Sequence, residues 1–175
     1  MKIFLIRHGE TTGDLEGRYG GSYDDHLTQH GQDQLKETAK KLTGKDIEII
    51  FTSKLIRAKE SAKIISSEVN CAVEIIKGME ERHYGILTGL TKSEALEKYP
   101  EAVGAHTNTN NTDPEGESFT DFQNRVLSTF KELVLKEYSV VAIVSHGGPI
   151  KQLLKYLNLP IPDKIDDGGI IEINY

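Results

Sequence analysis

The hydrophobic positions of this chain follow two alternating patterns. Short unbroken apolar runs are typical of strands buried on both faces of a sheet, and they predict strands over 2–7, 47–51, 73–76, 140–145 and 170–173. Between these runs, apolar residues recur at helical spacing, which predicts helices over 28–44, 53–68, 91–99, 118–137 and 147–156. Alternating strands and helices indicate an α/β fold. We expect a three-layer α/β/α sandwich with a mostly parallel sheet and 170–173 as an edge strand.

Polar and turn-forming residues mark the boundaries of these elements. Thr28, Ser53 and Ser118 stand where an N-cap side chain is preferred. The glycine-rich segment 9–25 predicts an ordered loop over one end of the sheet. The segment 101–117 has many turn formers and no periodicity, so we expect a surface loop that serves as a mobile lid.

Length, charge and cysteine content narrow the class of protein. The 175 residues fit one domain, 1–175, because domains commonly span about 100–200 residues. A net charge of −6 argues against nucleic acid as a partner. Cys71 is the only cysteine, which excludes a disulfide framework and favours a cytoplasmic location. No run approaches the ~20 apolar residues of a membrane span, and the edge strand 170–173 is compatible with a monomer or a homodimer.

Two of the predicted strands end alike, in a histidine followed by glycine. The first strand runs into RHG at 7–9, and the fourth runs into SHGG at 145–148. If these strands are parallel neighbours, both imidazoles meet at the sheet edge where α/β proteins bind ligands. The helix that carries Arg57 begins at the same edge, so this arginine is expected to join them.

Two histidines and two arginines suit a tetrahedral anion. The guanidinium groups of Arg7 and Arg57 match phosphate oxygens and stay charged at working pH. A neutral imidazole among cations is a nucleophile toward phosphorus, and a protonated second histidine would donate to a phosphoryl oxygen. The leaving oxygen needs an acid, for which Glu81, in the loop after the third strand, is the candidate.

Five motifs together resemble those of the histidine phosphatase superfamily, which is also called the phosphoglycerate mutase-like family. They are RHGET at 7–11, LTQHG at 27–31, SKLIRA at 53–58, ES and RV at 117–126, and VSHGG at 144–148. The resemblance covers nearly the whole chain and implies an enzyme that needs no metal. It implies a phosphohistidine on His8, with Arg7, Arg57 and His146 holding the phosphoryl group and Glu81 acting as acid and then as base.

The same resemblance implies a set of substrate-binding residues. Arg18 matches a position that lines the family's phosphate or substrate site. The segments ERHYG at 81–85 and LTGLTK at 87–92 resemble those of cofactor-dependent mutases, in which Arg82, Tyr84 and Lys92 would touch the substrate. The set is completed by Thr11, Gly20, Gly21 and Gly147.

The superfamily contains phosphatases and mutases, and the sequence departs from the mutases in several places. The chain has no tryptophan, no arginine between Lys92 and Arg125, and Gly-Asp at 13–14 where mutases have Trp-Asn. A mutase must hold a bisphosphate and exclude water, so fewer cations and a polar loop favour hydrolysis of a small phosphorylated metabolite. The alternatives are a phosphoglycerate mutase primed by 2,3-bisphosphoglycerate and a non-catalytic phosphate-binding module. The sequence contains neither the nucleophile motif of a serine hydrolase nor the ligand motif of a zinc enzyme.

Overall fold

The computed structural model describes residues 1–108 and 110–175. These residues form a five-stranded sheet with the order β3-β2-β4-β1-β5. Neighbouring strands are parallel except β5, which lies antiparallel to β1 at one edge. The predictions of a mostly parallel sheet and of a last strand at its edge are confirmed. The strands are β1 Lys2–Arg7, β2 Ile49–Ser53, β3 Ala72–Ile76, β4 Val140–Ser145 and β5 Ile170–Asn174.

Helices cover both faces of the sheet, as the three-layer prediction requires. They are α1 Thr12–Leu15, α2 Gln29–Leu42, α3 Ile56–Val69, α4 Lys92–Lys98, α5 Pro100–His106, α6 Phe119–Leu133 and α7 Gly147–Tyr156, with a 3₁₀ turn at Gly85–Leu87. Phe4 and Ile6 of β1 pack against α2 and α3 on one face. Ile3 and Leu5 pack against α6 and α7 on the other face. Within the described residues, no helix combines the length and hydropathy needed to cross a membrane.

The pairing of β1 with β4 places the site. The two strands run parallel with Arg7 opposite Ser145, so His8 and His146 leave the sheet at the same edge. The chain after β1 leads to α2 on one face, whereas β4 leads to α7 on the other. Where successive connections diverge to opposite faces, the carboxyl ends of the strands border a crevice.

The predicted surface loop over 101–117 is wrong for its first part. Residues 100–106 form α5, which begins at Pro100, a residue suited to the first turn of a helix. Only Ala102 of this helix is buried, so its sequence carries no apolar period. At the end of this helix, the His106 ring pairs with the buried Asp113 carboxylate at 2.9 Å.

Three predicted boundaries are also corrected. Strand β2 occupies Ile49–Ser53 rather than 47–51, so Ser53 ends the strand and does not cap α3. The N-cap position of α3 is Leu55, and the Asp24 carboxylate accepts the hydrogen bond from the Ile56 amide instead. Helix α6 ends at Leu133 instead of 137. At the start of α3, the side chain of Asp24 from a distant loop takes the place of a local N-cap. The sequence next to the helix does not reveal this contact.

Candidate active site

A cavity of about 340 Å³ opens where β1 and β4 end. His146 lies beside it, with its ring centroid 5.0 Å from that of His8. The structure thus brings together most of the residues that the sequence nominated. Those that line the cavity are Arg7, His8, Thr11, Arg18, Gly20, Gly21, Arg57, Glu81, Tyr84 and Gly147.

The two ring nitrogens of His8 have different partners, the Gly9 carbonyl for Nδ1 and Arg57 for Nε2. Its Nδ1 lies 2.8 Å from the carbonyl oxygen of Gly9, so Nδ1 carries the proton and donates it to that oxygen. Nε2 therefore carries no proton, and its lone pair accepts a hydrogen bond from Nε of Arg57 at 3.2 Å. An unprotonated, oriented ring nitrogen is the requirement for a nucleophile.

Gly9 makes this placement possible because the chain passes very close to α2. A Cβ at this position would lie 2.5 Å from the carbonyl oxygen of Gly31 and 2.3 Å from the Leu35 side chain. No other residue fits without moving the backbone that accepts the proton of His8. The glycine of the first motif is thus required by packing.

Both histidines are uncharged near neutral pH. Burial is the main cause that lowers the pKa of His8 well below 6.5, and the Arg57 guanidinium lowers it further. The pKa of His146 is lowered by burial and then by Arg57 and His8. The prediction that neighbouring cations lower the pKa of His8 is confirmed, although desolvation is the larger effect. The protonated form of His146 that the sequence led us to expect is disfavoured by this burial and by the positive charge of Arg57.

His146 is oriented by a hydroxyl at the end of β2. Its Nε2 lies 2.9 Å from Oγ of Ser53, and this oxygen also accepts a hydrogen bond from the Leu55 amide. The hydroxyl proton is then available to Nε2, which leaves the ring proton on Nδ1. Nδ1 is buried and has no hydrogen-bond partner in the described residues. A neutral His146 can therefore donate one hydrogen bond through Nδ1.

Arg57 is fixed by the glycine-rich loop. Its guanidinium donates to the carbonyl oxygens of Gly21, at 2.7 Å, and of Tyr23. It also pairs with the Asp25 carboxylate at 3.0 Å, and both side chains are 4% exposed. The ion pair with Asp25 and the two carbonyl contacts hold the Arg57 side chain in the orientation that directs its Nε toward His8.

Arg7 is fixed from the other side, by the segment that leads into β5. One terminal nitrogen donates to the carbonyl oxygen of Ile165 at 2.6 Å, and the other pairs with Asp167 at 2.9 Å. Its Nε is buried with no hydrogen-bond partner among the residues described. Burial raises the pKa of Asp167 while Arg7 opposes that rise.

Glu81 reaches the cavity with both carboxylate oxygens held by main-chain amides. Oε1 accepts from the amide of Arg82 at 2.9 Å, and Oε2 accepts from that of Gly148 at 2.8 Å. Arg125 holds the loop from behind by donating to the carbonyl oxygens of Gly78, Glu80 and Glu81. The negative charge of Glu81 is the main cause that raises the pKa of the Tyr84 phenol.

Two of the nominated substrate-binding residues lie outside this cavity. Arg82 is buried and donates to the carbonyl oxygens of Glu117 and Asn111, and Lys92 is exposed at the start of α4. The sequence reasoning also missed cavity residues. Lys151 lies one turn after the VSHGG motif, a spacing that could have indicated it. No local signal indicated the cavity residues 163–165.

The Asp14 carboxylate, which takes the place of a mutase asparagine, lines the cavity but is engaged locally. One of its oxygens accepts from the amide and the hydroxyl of Thr11, which forms a capping box at α1. Among the described residues, no group of three or more His, Cys, Asp or Glu is placed to hold a metal ion.

Comparison with known proteins identifies the family. The family description "Histidine phosphatase superfamily (branch 1)" matches residues 3–168. This chain belongs to the histidine phosphatase superfamily. A 2,3-bisphosphoglycerate-dependent phosphoglycerate mutase 2 from Gloeobacter violaceus is 29% identical over 99% of this chain and 81% of its own length. A metal-independent phosphoserine phosphatase from Arabidopsis thaliana is 33% identical over 87% of this chain and 66% of its own length. The solved structure of Bacillus stearothermophilus YhfR is 27% identical, with a TM-score of 0.89 over 99% of this chain and 90% of that one.

The close approach of Gly148 to Glu81 allows a direct test of whether the position of that carboxylate matters in this superfamily member. A Cβ at Gly148 would lie 2.1 Å from Oε1 of Glu81. We expect Gly148→Ala to displace the carboxylate and to lower kcat for phosphomonoester turnover by about 10²-fold, the usual contribution of a positioned acid–base group, with an unchanged melting temperature. The matched control is Gly104→Ala in α5, where no atom lies within 4 Å of the added Cβ. Equal activity of the two variants would show that the position of the Glu81 carboxylate does not determine the rate.

The neutral histidines predict how the stability of the protein depends on pH. Because the pKa values of His8 and His146 lie below 6.5 in the folded state, the unfolded chain binds protons first as the pH falls. The contribution of these two histidines to the free energy of unfolding therefore decreases from pH 6.5 downward, by up to about 1.4 kcal/mol per pH unit for each. Urea unfolding between pH 7.5 and 5 measures this slope. It should be smaller in His8→Gln than in His30→Gln, a substitution at an exposed site; equal slopes in these two variants would show that folding does not change the proton affinity of His8.

Proposed function

We propose that this chain is a phosphatase that hydrolyses small phosphomonoesters through a phosphohistidine on His8. The observation that supports it most is the state of that ring, whose Nδ1 is bound to the Gly9 carbonyl and whose Nε2 lies in the cavity beside Arg57. A fixed, neutral nucleophile next to a cation is suited to attack on a phosphoryl group.

In the first step, Nε2 of His8 attacks phosphorus and the bond from phosphorus to the leaving oxygen breaks. Nε of Arg7, Nδ1 of His146 and the guanidinium of Arg57 donate toward the phosphoryl oxygens, where negative charge must be stabilised in the transition state. A protonated Glu81 gives its proton to the leaving oxygen, so that an alcohol departs. The two buried donors, on Arg7 and His146, have no other hydrogen-bond partner in the described residues.

In the second step, water replaces the alcohol. The Glu81 carboxylate takes a proton from the water as the water oxygen attacks phosphorus, and the bond between phosphorus and Nε2 of His8 breaks. Inorganic phosphate leaves, and His8 and Glu81 return to their starting protonation states. The main-chain amides of Arg82 and Gly148 keep Glu81 in one place for both proton transfers.

Hydrolysis is favoured over isomerisation by the positions of two cations. In the mutase-like motif, Arg82 and Lys92 would bind the substrate, but Arg82 donates to main-chain oxygens and Lys92 lies on the exposed start of α4. A mutase has to hold a bisphosphate through reorientation, which requires several cations around one closed cavity. A hydrolase only has to admit water.

Phosphoglycerate mutase activity is the second candidate. Arg18, Lys151 and Lys164 line the mouth of the cavity, where they would face a second phosphate or a carboxylate. Each of them has an acceptor nearby: Arg18 pairs with Glu16, Lys151 donates to the Asp163 carbonyl, and Lys164 lies 3.8 Å from Asp166. A bisphosphate would have to break these contacts.

The experiment that separates the two activities follows both products in one reaction. Wild-type protein is incubated with 3-phosphoglycerate, with and without a trace of 2,3-bisphosphoglycerate, and separately with p-nitrophenyl phosphate. Our proposal expects release of phosphate that does not need the bisphosphate. Rapid formation of 2-phosphoglycerate that requires the bisphosphate, with little free phosphate, would establish the mutase instead.

A further inference from the structure

A second cavity adjoins the phosphoryl site on the far side of Glu81. Its volume is about 260 Å³, and it shares Glu81, Tyr84, Gly148 and Lys151 with the first cavity. Glu81, the acid for the leaving oxygen in our proposed function, thus stands at the boundary between the two. A substrate whose phosphoryl group lies at His8 and whose ester oxygen lies at Glu81 would therefore have its leaving group next to this second cavity.

The walls of the second cavity are aromatic. The edge of His106 packs on Tyr84 with ring centroids 4.6 Å apart, and Phe119 lies 6.4 Å from Phe122 in a tilted arrangement. All four rings line the cavity. Aromatic surfaces of this kind favour flat apolar groups, through burial and through ring contacts worth about 0.5–1.5 kcal/mol each.

The two cations that line this cavity within the described residues are directed elsewhere. The guanidinium of Arg82 donates to the carbonyl oxygens of Glu117 and Asn111, and its face lies over the ring of Phe119 at 5.8 Å. Nζ of Lys151 donates to the carbonyl oxygen of Asp163 at 2.6 Å. A carboxylate or a second phosphate in this cavity would have to compete with these acceptors, whereas a neutral ring would leave them intact.

From these features we propose that the second cavity selects phosphomonoesters whose alcohol carries a neutral aromatic ring, and that Phe119 is a specificity-determining residue. This inference rests on the proposed phosphatase function and adds the class of its substrate. The volume agrees with it, since an apolar cavity of about 150 Å³ holds benzene. A cavity of about 260 Å³ accommodates one ring with a short chain to the ester oxygen.

The test compares alcohols of similar reactivity, so that differences report binding in the cavity. The values of kcat/KM are measured for 2-phenylethyl phosphate, glycerol 3-phosphate and 3-phosphoglycerate, all esters of alkyl alcohols. We expect 2-phenylethyl phosphate to exceed the other two by at least about tenfold, the usual discrimination of a small apolar pocket. A preference for glycerol 3-phosphate or 3-phosphoglycerate would overturn the inference and leave the phosphatase proposal standing. No phosphate release from any of the three would refute both.

Variants of Phe119 locate the selectivity. Phe119 is partly exposed at the first turn of α6 and packs against the border of the core, so a thermal melt of each variant accompanies the kinetics. Phe119→Ala should lower kcat/KM for 2-phenylethyl phosphate about tenfold while changing that for glycerol 3-phosphate less than about twofold, and Phe119→Leu should recover part of the loss. An equal loss for both substrates would show a structural role and contradict the assignment of Phe119.

Discussion

Replacement of His8 by alanine is expected to lower phosphate release from p-nitrophenyl phosphate by at least about 10³-fold, because removal of a covalent nucleophile leaves only binding and electrostatic contributions. The His8 side chain lines a cavity that already exists, so its truncation enlarges that cavity and the variant should remain folded. Initial rates at saturating substrate, together with a thermal melt, measure both quantities.

The matched control for this variant is His30→Ala. His30 is exposed on α2 and lies away from the cavity, so its removal should leave the rate within about twofold of wild type. A His8→Ala protein that retains more than about one per cent of the wild-type rate would mean that another group attacks phosphorus.

Replacement of Arg57 by alanine should reduce both activity and stability. The guanidinium faces His8 and the phosphoryl site, and the loss of a charged donor to a transition state costs about 10²–10³-fold in kcat. The change also leaves the Asp25 carboxylate buried without its partner, which typically costs about 3–5 kcal/mol. Urea unfolding and steady-state kinetics of the same preparation measure the two effects.

The two losses can be separated in the double variant Arg57→Ala with Asp25→Asn. The neutral amide removes the unpaired buried charge, so the free energy of unfolding should recover by about 1–3 kcal/mol, while kcat stays low. Recovery of activity along with stability would show that Arg57 only holds the loop around Gly21 and makes no contribution at the phosphoryl group.

The ends of β1 and β4 were predictable from the sequence because each buried apolar run is followed directly by a histidine. The runs before His8 and His146 are continuous and apolar, and parallel pairing alone brings their ends together. The same reasoning misjudged 101–106, where a seven-residue helix buries only Ala102. Such a helix is stabilised by the packing of Ala102 against Leu87 and Ala95 in the preceding elements, and these contacts give its own sequence no apolar period.

The remaining parts of the site depend on contacts that only the fold creates. Ser53 was assigned to a helix cap, but the register of β2 directs its hydroxyl to His146. Asp167, which pairs with Arg7, lies 160 residues along the chain. Arg82 and Lys92 fit a mutase-like motif, yet a motif specifies residue types and not whether their side chains face one cavity. Charge and spacing predicted that the two histidines meet at one sheet edge, while the residues that orient them had to be seen in three dimensions.

The most direct measurement of the central claim is the trapping of the phosphoenzyme. Wild-type protein is mixed with a phosphomonoester, quenched in alkali within milliseconds, digested and examined by mass spectrometry for phosphorylated histidine. Our account predicts phosphate on His8, none on His146, and no labelled peptide in His8→Ala. Turnover with phosphate on any other residue, or with no phosphoenzyme and inversion of configuration at phosphorus, would contradict it.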